Sequence, residues 1–206
     1  MHPSARKPVA AILVDRPVAD AARWKRLLEV LLDASIKRAI FCGNGVLAEL
    51  QRDFGERFGR LELRYTDCEH PDDHRESLVL IKDQLDTDPV LVVGNAHFAE
   101  VDLIDMLAFH RWSDAEATML LHDVCDTSRE SRVVLNELAE VIGFASPAAA
   151  PRGAIDGQIY LLSQSVLDAL CREKHSREAE LLPHWIGHGL FGYRVPGPLV
   201  ETSTAA

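Results

Sequence analysis

The chain has 206 residues, with 22 Lys and Arg against 32 Asp and Glu and a formal charge of −10 at neutral pH. Such an acidic surplus excludes nucleic acid or an anionic membrane surface as a main partner, because both are bound through basic surface, although a few local cations are enough to hold a nucleotide. Hydrophobic residues make up 47% and charged residues 26%, the balance of an ordinary globular protein, and no apolar run reaches the roughly 18 residues of a membrane span.

One hydrophobic core is sufficient at this length, so a single domain over 1–206 is expected, frayed at 1–8 and 201–206. The opening MHPSARKP carries no apolar signal core, and Cys42, Cys68, Cys125 and Cys171 show no zinc spacing. A cytoplasmic protein with reduced thiols is the expectation. Cys42 lies inside an apolar strand pattern and reads as a small buried hydrophobe.

In chain order, Val9–Val14 (VAAILV) is a strand of the buried type. Trp24, Leu27, Leu28, Leu31 and Leu32 recur at helical spacing. Arg38–Cys42 (RAIFC) is the second strand and Gly43-Asn44-Gly45 its turn, followed by the helix VLAELQRDF, ended at Gly55. Leu61–Tyr65 alternates as a strand, Ser77–Leu85 supports a helix, and Val90–Val93 is a strand that stops at Gly94-Asn95. A helix opens after Asp102, a residue suited to an N-cap, as is Asp73 before the preceding helix. Strands alternating with helices over short connections predict a parallel sheet covered on both faces.

Beyond residue 112, Ala117–Leu121, Val133–Leu135, Val141–Ala145 and Gln158–Ser163 read as strands with fewer helices between them. Helices follow near Ser165–Cys171 and Glu178–Ile186, then a last strand at Leu190–Val195. PAAAPRG (147–153) is a loop. No repeat, low-complexity tract or linker interrupts the chain. His70 and His74 flank Pro71, so they sit at a loop–helix junction. His184 and His188 are four apart, without the glutamate of a zinc-hydrolase motif. Ser163 and Ser165 lack a G-x-S-x-G context.

Several segments carry a resemblance. RLLEVLLDASIKRAIFCGNGVLAELQRDFG, LRYTDCEHP, VDLIDMLAFHR, AEATMLL, VIGFASP, DGQIYLLSQSVLDAL, SREAELLP and GLFGYRV fall in the order of the sugar-1-phosphate nucleotidyltransferases. The chain most resembles their small bacterial branch of heptose- and mannose-1-phosphate guanylyltransferases, from about Val9 to Thr204. The resemblance implies a Rossmann-like α/β/α sandwich with a mixed, mainly parallel central sheet. It also implies a reaction in which a sugar 1-phosphate attacks the α-phosphorus of a nucleoside triphosphate in line and releases pyrophosphate, with catalysis resting on positioning and charge neutralisation.

The groups that such chemistry needs are replaced. Where the family has a glycine-rich loop with an arginine and a lysine, this chain has Asp15-Arg16-Pro17-Val18-Ala19-Asp20, with no glycine and a Pro17 that offers no N–H. Asp72-Asp73-His74-Arg75-Glu76-Ser77 puts large polar side chains where the family keeps small residues against the base. Of the two Mg²⁺-binding aspartates, the first falls on Ala96 and the second, more loosely, on Glu201. Asp156 stands at a sugar-contacting asparagine position, and GFASP (143–147) lacks the glutamate–lysine pair beside the sugar.

Taken with the resemblance, this implies a nucleotidyltransferase homologue impaired in catalysis that binds or regulates within nucleotide-sugar and surface-polysaccharide metabolism. No catalytic residue is expected, and Asp15, Arg16, Asp73, His74, Ala96, His97, Asp156 and Glu201 are vestigial pocket positions. No metal or other cofactor is expected, with Mg²⁺ only if the chain is an active enzyme. The partners implied are another protein or a second copy, such as an active homologue, and a sugar-phosphate or nucleotide ligand, with neither nucleic acid nor membrane. Two alternatives stay open. One is an active, metal-dependent nucleotidyltransferase with a remodelled site of Arg16, His97, Asp156 and Glu201, and the other is a sugar or nucleotide sensor without turnover.

Overall fold

The structure is a computed structural model and describes residues 8–14, 21–45, 47–71, 73–94, 101–125, 127, 131–146, 152–172 and 182–195. Val9–Val14 forms β1 and is buried at every position, as a strand covered on both faces must be. In chain order there follow α1 (Ala21–Asp33), β2 (Arg38–Gly43), α2 (Leu47–Phe54), β3 (Arg57–Phe58), β4 (Leu61–Asp67), α3 (His74–Ile81), β5 (Val90–Val93) and α4 (Leu103–Trp112). The second half contributes β6 (Ala117–Val124), β7 (Arg132–Leu135), β8 (Val141–Ala145), β9 (Gly153–Leu162), α5 (Gln164–Arg172) and β10 (Leu190–Arg194).

The main sheet runs β10-β6-β9-β5-β1-β2-β4-β3. Strands β5, β1, β2 and β4 are mutually parallel, as are β10 and β6, while β9 and β3 run against their neighbours. Alternation along β1 sorts the two faces. Val9, Ala11 and Leu13 join a core with Leu78 and Ile81 of α3 and Val166, Leu167 and Leu170 of α5. Ala10, Ile12 and Val14 join another with Leu27, Leu28 and Leu31 of α1, Leu47 and Leu50 of α2, and Leu103, Met106 and Leu107 of α4. This is the mixed, mainly parallel α/β/α sandwich anticipated from the sequence.

At one end the sheet folds back on itself. β9 pairs β6 on one side and β7 on the other, β7 pairs β8, Glu140 just before β8 bridges to Phe191 of β10, and β10 pairs β6. The result is a closed circuit of five strands. A side chain at Gly192 would force its neighbours to shift, since a Cβ would lie 2.6 Å from Leu121 Cδ1 and 2.8 Å from Leu135 Cδ2.

Several boundaries differ from the sequence reading. The helix expected over Ser77–Leu85 begins at His74 and gives way to a 3₁₀ turn at Lys82–Gln84. The expected helix near Glu178–Ile186 is a 3₁₀ turn at Leu182–Trp185 where it is described. Pro183 offers no N–H to an α-ladder, and Gly187 and Gly189, with φ of 76° and 85°, turn the chain into β10. β3 was not anticipated, β6 runs on to Val124, and β9 begins at Gly153. Among the described residues no helix is long and apolar enough to cross a membrane.

Candidate functional site

The topology marks one crevice. From β1 the chain lays β2 and β4 to one side, then returns through α3 to place β5 on the other side of β1. In open α/β sheets, ligands bind outside the carboxyl ends of the strands at such a reversal. Here those ends are Val14 of β1 and Val93 of β5, the latter followed by Gly94. Asp15 and Arg16 directly follow β1 in sequence, and Ala96 and His97 closely follow β5. These four, and Glu201, lie outside the described residues. Asp73, His74 and Asp156 lie within them.

A β-bulge forms one wall. Met119 pairs with Tyr160, but two residues later Leu121 pairs with Asp156, so β9 carries extra residues over Gly157–Ile159. Gln158 takes up the excess with a φ of 56°, and its carbonyl accepts from the N–H of Gly94 at 2.8 Å. Asp156 pins the irregularity: Oδ1 accepts from the Gln158 N–H at 2.8 Å and Oδ2 from the Tyr160 hydroxyl at 2.5 Å. Bulges re-aim side chains beside active sites, and this one gives Asp156 an internal task.

His74 forms the facing wall. It is the first residue of α3, and its Cε1 lies 3.3 Å from the point where a Gly94 side chain would begin. Gln158 adds its Cβ at 3.2 Å and its carbonyl oxygen at 3.3 Å around the same point. The imidazole therefore packs beside the end of β5 in space that a side chain at position 94 would crowd. Asp73 caps the helix that presents it, accepting from the Glu76 N–H at 3.0 Å, so this candidate serves the helix end. Behind it, the buried Ser77 hydroxyl donates to Cys68 Sγ at 3.4 Å, and the Cys42 thiol donates to the Ser77 carbonyl at 3.7 Å. Burial pushes the Cys42 thiol up to about 11, which keeps it protonated and unreactive, in keeping with a small core residue.

The remaining candidates have structural partners. Asp102 caps α4 by accepting from the N–H groups of Ile104 and Asp105, both at 3.0 Å. Ser163 and Ser165 donate to the same Glu116 oxygen at 2.6 and 2.5 Å, and Ser163 also accepts from the Val166 N–H at the start of α5. Those two hydroxyls hold the Glu116 carboxyl below the usual range. His184 and His188 are exposed around the last turn before β10. Among the described residues no group of three or more His, Cys, Asp or Glu gathers as a metal site. A separate polar groove of about 520 Å³ lies along the β3–β4 edge, lined by Gln51, Glu56, Arg57, Arg64, Tyr65 and Gln84 among others. Sequence reasoning singled out neither Gln158 nor Tyr160 as site residues. The available signal was Gly157, since a glycine inside a strand often marks a bulge.

An α/β/α sandwich with this strand order, its crevice at the ends of β1 and β5, is a nucleotidyltransferase-like Rossmann fold. HddC from Yersinia pseudotuberculosis superposes with a TM-score of 0.71 over 92% of this chain and 90% of that one, at 14% identity, a likeness of fold alone. No family model matches the chain. In sequence it is 29% identical over 179 residues to a probable mannose-1-phosphate guanylyltransferase 3 of Arabidopsis thaliana, covering 82% of this chain and 54% of the relative. It is 26% identical over 198 residues to the mannose-1-phosphate guanylyltransferase of Mycobacterium tuberculosis, covering 94% and 52%. The chain spans about half the length of the curated relatives it matches. In sequence it is thus distantly similar to sugar-1-phosphate nucleotidyltransferases, at 24–29% identity.

Proposed function

We propose that the chain is a catalytically impaired sugar-1-phosphate nucleotidyltransferase homologue that acts as a binding or regulatory protein in nucleotide-sugar and surface-polysaccharide metabolism. The observation that carries this reading is Ala96, an alanine where the resemblance places the first Mg²⁺-binding aspartate. At the sugar-contacting position, Asp156 accepts bonds within β9 through both carboxylate oxygens.

The residues fit Mg²⁺ poorly. The cation takes oxygen ligands in near-octahedral geometry, whereas position 96 is an alanine whose side chain offers no ligand atom. The partner that suits a retained scaffold is a protein of the same fold, an active mannose-1-phosphate guanylyltransferase or a second copy.

The test combines pyrophosphate release with thermal shift, using GTP and mannose 1-phosphate in the presence of Mg²⁺ or Mn²⁺. The expected result is no pyrophosphate above background, together with capture of an active guanylyltransferase in a pull-down. The similarity to guanylyltransferases favours a second reading, an active enzyme with a remodelled site. Pyrophosphate release that Glu201→Ala abolishes would establish that reading in place of ours. Stabilisation by GTP without release, about 2.7 kcal/mol at 100 times Kd, would mark a sensor.

A further inference from the structure

We infer that the polar groove along the β3–β4 margin is a second binding site, built for an uncharged, polyhydroxylated ligand of the size of a mono- or disaccharide. The groove lies two strands away from the crevice at β1 and β5, and its use does not depend on whether that crevice still works.

Both walls are fixed by bonds within the chain. On one side the segment 55–57 is tied to β4: the Leu63 N–H donates to the Glu56 carbonyl at 2.9 Å and the Tyr65 hydroxyl to the Gly55 carbonyl at 2.8 Å. On the other side Arg64 donates through Nε to Glu62 Oε1 at 2.8 Å and through Nη1 to Gln84 Oε1 at 3.1 Å. Arg38 holds the same glutamine from behind, donating to its carbonyl at 3.3 Å. The bond from Arg64 also keeps the Glu62 carboxyl below the usual range, so this wall stays ionised at neutral pH. The space between the walls is about 520 Å³, within the roughly 300–1,000 Å³ typical of small-molecule sites.

The lining selects the ligand. Arg57 and Arg64 balance Glu56 and Glu62, so an ion of either sign meets as much repulsion as attraction. An apolar ligand would leave these polar groups desolvated, at a cost. Among the described residues, the side chains of Gln51, Arg57 and Thr66 make no hydrogen bond or ion pair. They offer an amide, a guanidinium and a hydroxyl, a set that both donates and accepts. Sugar hydroxyls match it, because each donates and accepts at once and two neighbours can span the edge of a planar amide or guanidinium. Tyr65, stacked by one face on Phe41 at 5.4 Å, adds an aromatic surface suited to the C–H side of a sugar ring.

The experiment titrates the whole chain with glucose, mannose and maltose under heteronuclear NMR, with inorganic phosphate and putrescine as charged probes. The expected result is that millimolar sugar moves the amide signals of Gln51, Arg57, Thr66 and Gln84, and that neither ion does. Replacing two unpaired side chains together, Gln51→Ala with Arg57→Ala, should weaken the sugar Kd at least tenfold while the urea midpoint stays that of wild type. Signals that no sugar moves, or a sugar Kd unchanged in the double variant, overturn the site. Movement by phosphate or putrescine in place of sugar overturns the ligand class. Shifts confined to β5 and β9 would put the sugar in the crevice and overturn the assignment as well. None of these outcomes decides the functional reading, which stands or falls on pyrophosphate release.

Discussion

His110 sits in the last turn of α4, 5% exposed, with Nδ1 2.8 Å from the hydroxyl oxygen of the fully buried Thr118. Burial, helped by the neighbouring Arg111 and opposed by Glu116, lowers its pKa from the ordinary 6.5 to about 4. The native state thus refuses a proton that the unfolded chain accepts. The stability this residue protects is fully present above pH 6.5 and is lost as the pH falls from 6.5 towards 4. For a shift of that size the loss relative to pH 7 is about 2 kcal/mol at pH 5 and about 3 kcal/mol at pH 4. Glu116 and Glu62, whose pKa values are lowered by hydrogen-bonding partners, add their own losses only below the ordinary glutamate range. The interval from pH 7 to 5 therefore leaves these glutamates out, and comparison with a His110 variant separates this imidazole from the other histidines. Urea unfolding of wild type should show a midpoint about 1 M lower at pH 5 than at pH 7, for a slope of about 2 kcal/mol per M. In His110→Gln, which keeps a polar amide near Thr118, most of that difference should vanish. If the variant loses as much midpoint as wild type over this interval, the buried imidazole is not what makes the fold acid-sensitive.

Three further outcomes follow from local geometry. Asp102→Ala removes the acceptor of two N–H groups at the start of α4, and should cost about 1 kcal/mol, with faster amide exchange at Ile104 and Asp105. Phe41→Ala empties a site between Trp24, edge-on at 5.7 Å, and Tyr65, stacked at 5.4 Å. A loss of about 3–5 kcal/mol in denaturant unfolding is expected. Gly192→Ala drives a methyl against Leu121 and Leu135 inside the strand circuit. It should destabilise by about 1–3 kcal/mol, and a variant as stable as wild type would show that the circuit opens readily.

What the sequence made legible depended on where each signal was stored. β1, β2 and β5 are uninterrupted apolar runs, because both of their faces are covered, and α1 shows its buried face through Leu27, Leu28 and Leu31. The caps Asp73 and Asp102 were readable because their chemistry is local. β3 was not legible, since two residues carry no periodicity, nor was the first half of β9, where GAID pairs β6 and β7 around a curve that no local pattern records. The segment before β10 misled through Leu181, Leu182, Trp185 and Ile186, which have helical spacing while Pro183 prevents an α-helix. At the site, the family-like positions Asp156 and His74 could be named from sequence. Their present work, pinning a bulge and covering Gly94, arises from contacts between segments far apart in the chain.

The five-strand circuit also bears on how the molecule meets its own kind. A sheet recruits strangers along its raw margins, where unspent amide groups can template another strand. At the β10 margin, the Glu140–Phe191 bridge and the bond from the Gly192 N–H to the Ala139 carbonyl engage those groups within the chain. At the opposite margin β3 pairs with Leu61 and Glu62 of β4, the Leu63 N–H donates to the Glu56 carbonyl at 2.9 Å, and beyond it Arg64 places a charge paired to Glu62 at 2.8 Å. Runaway strand-by-strand polymerisation is thereby discouraged at both margins, so that any contact between copies would fall to side-chain surfaces instead.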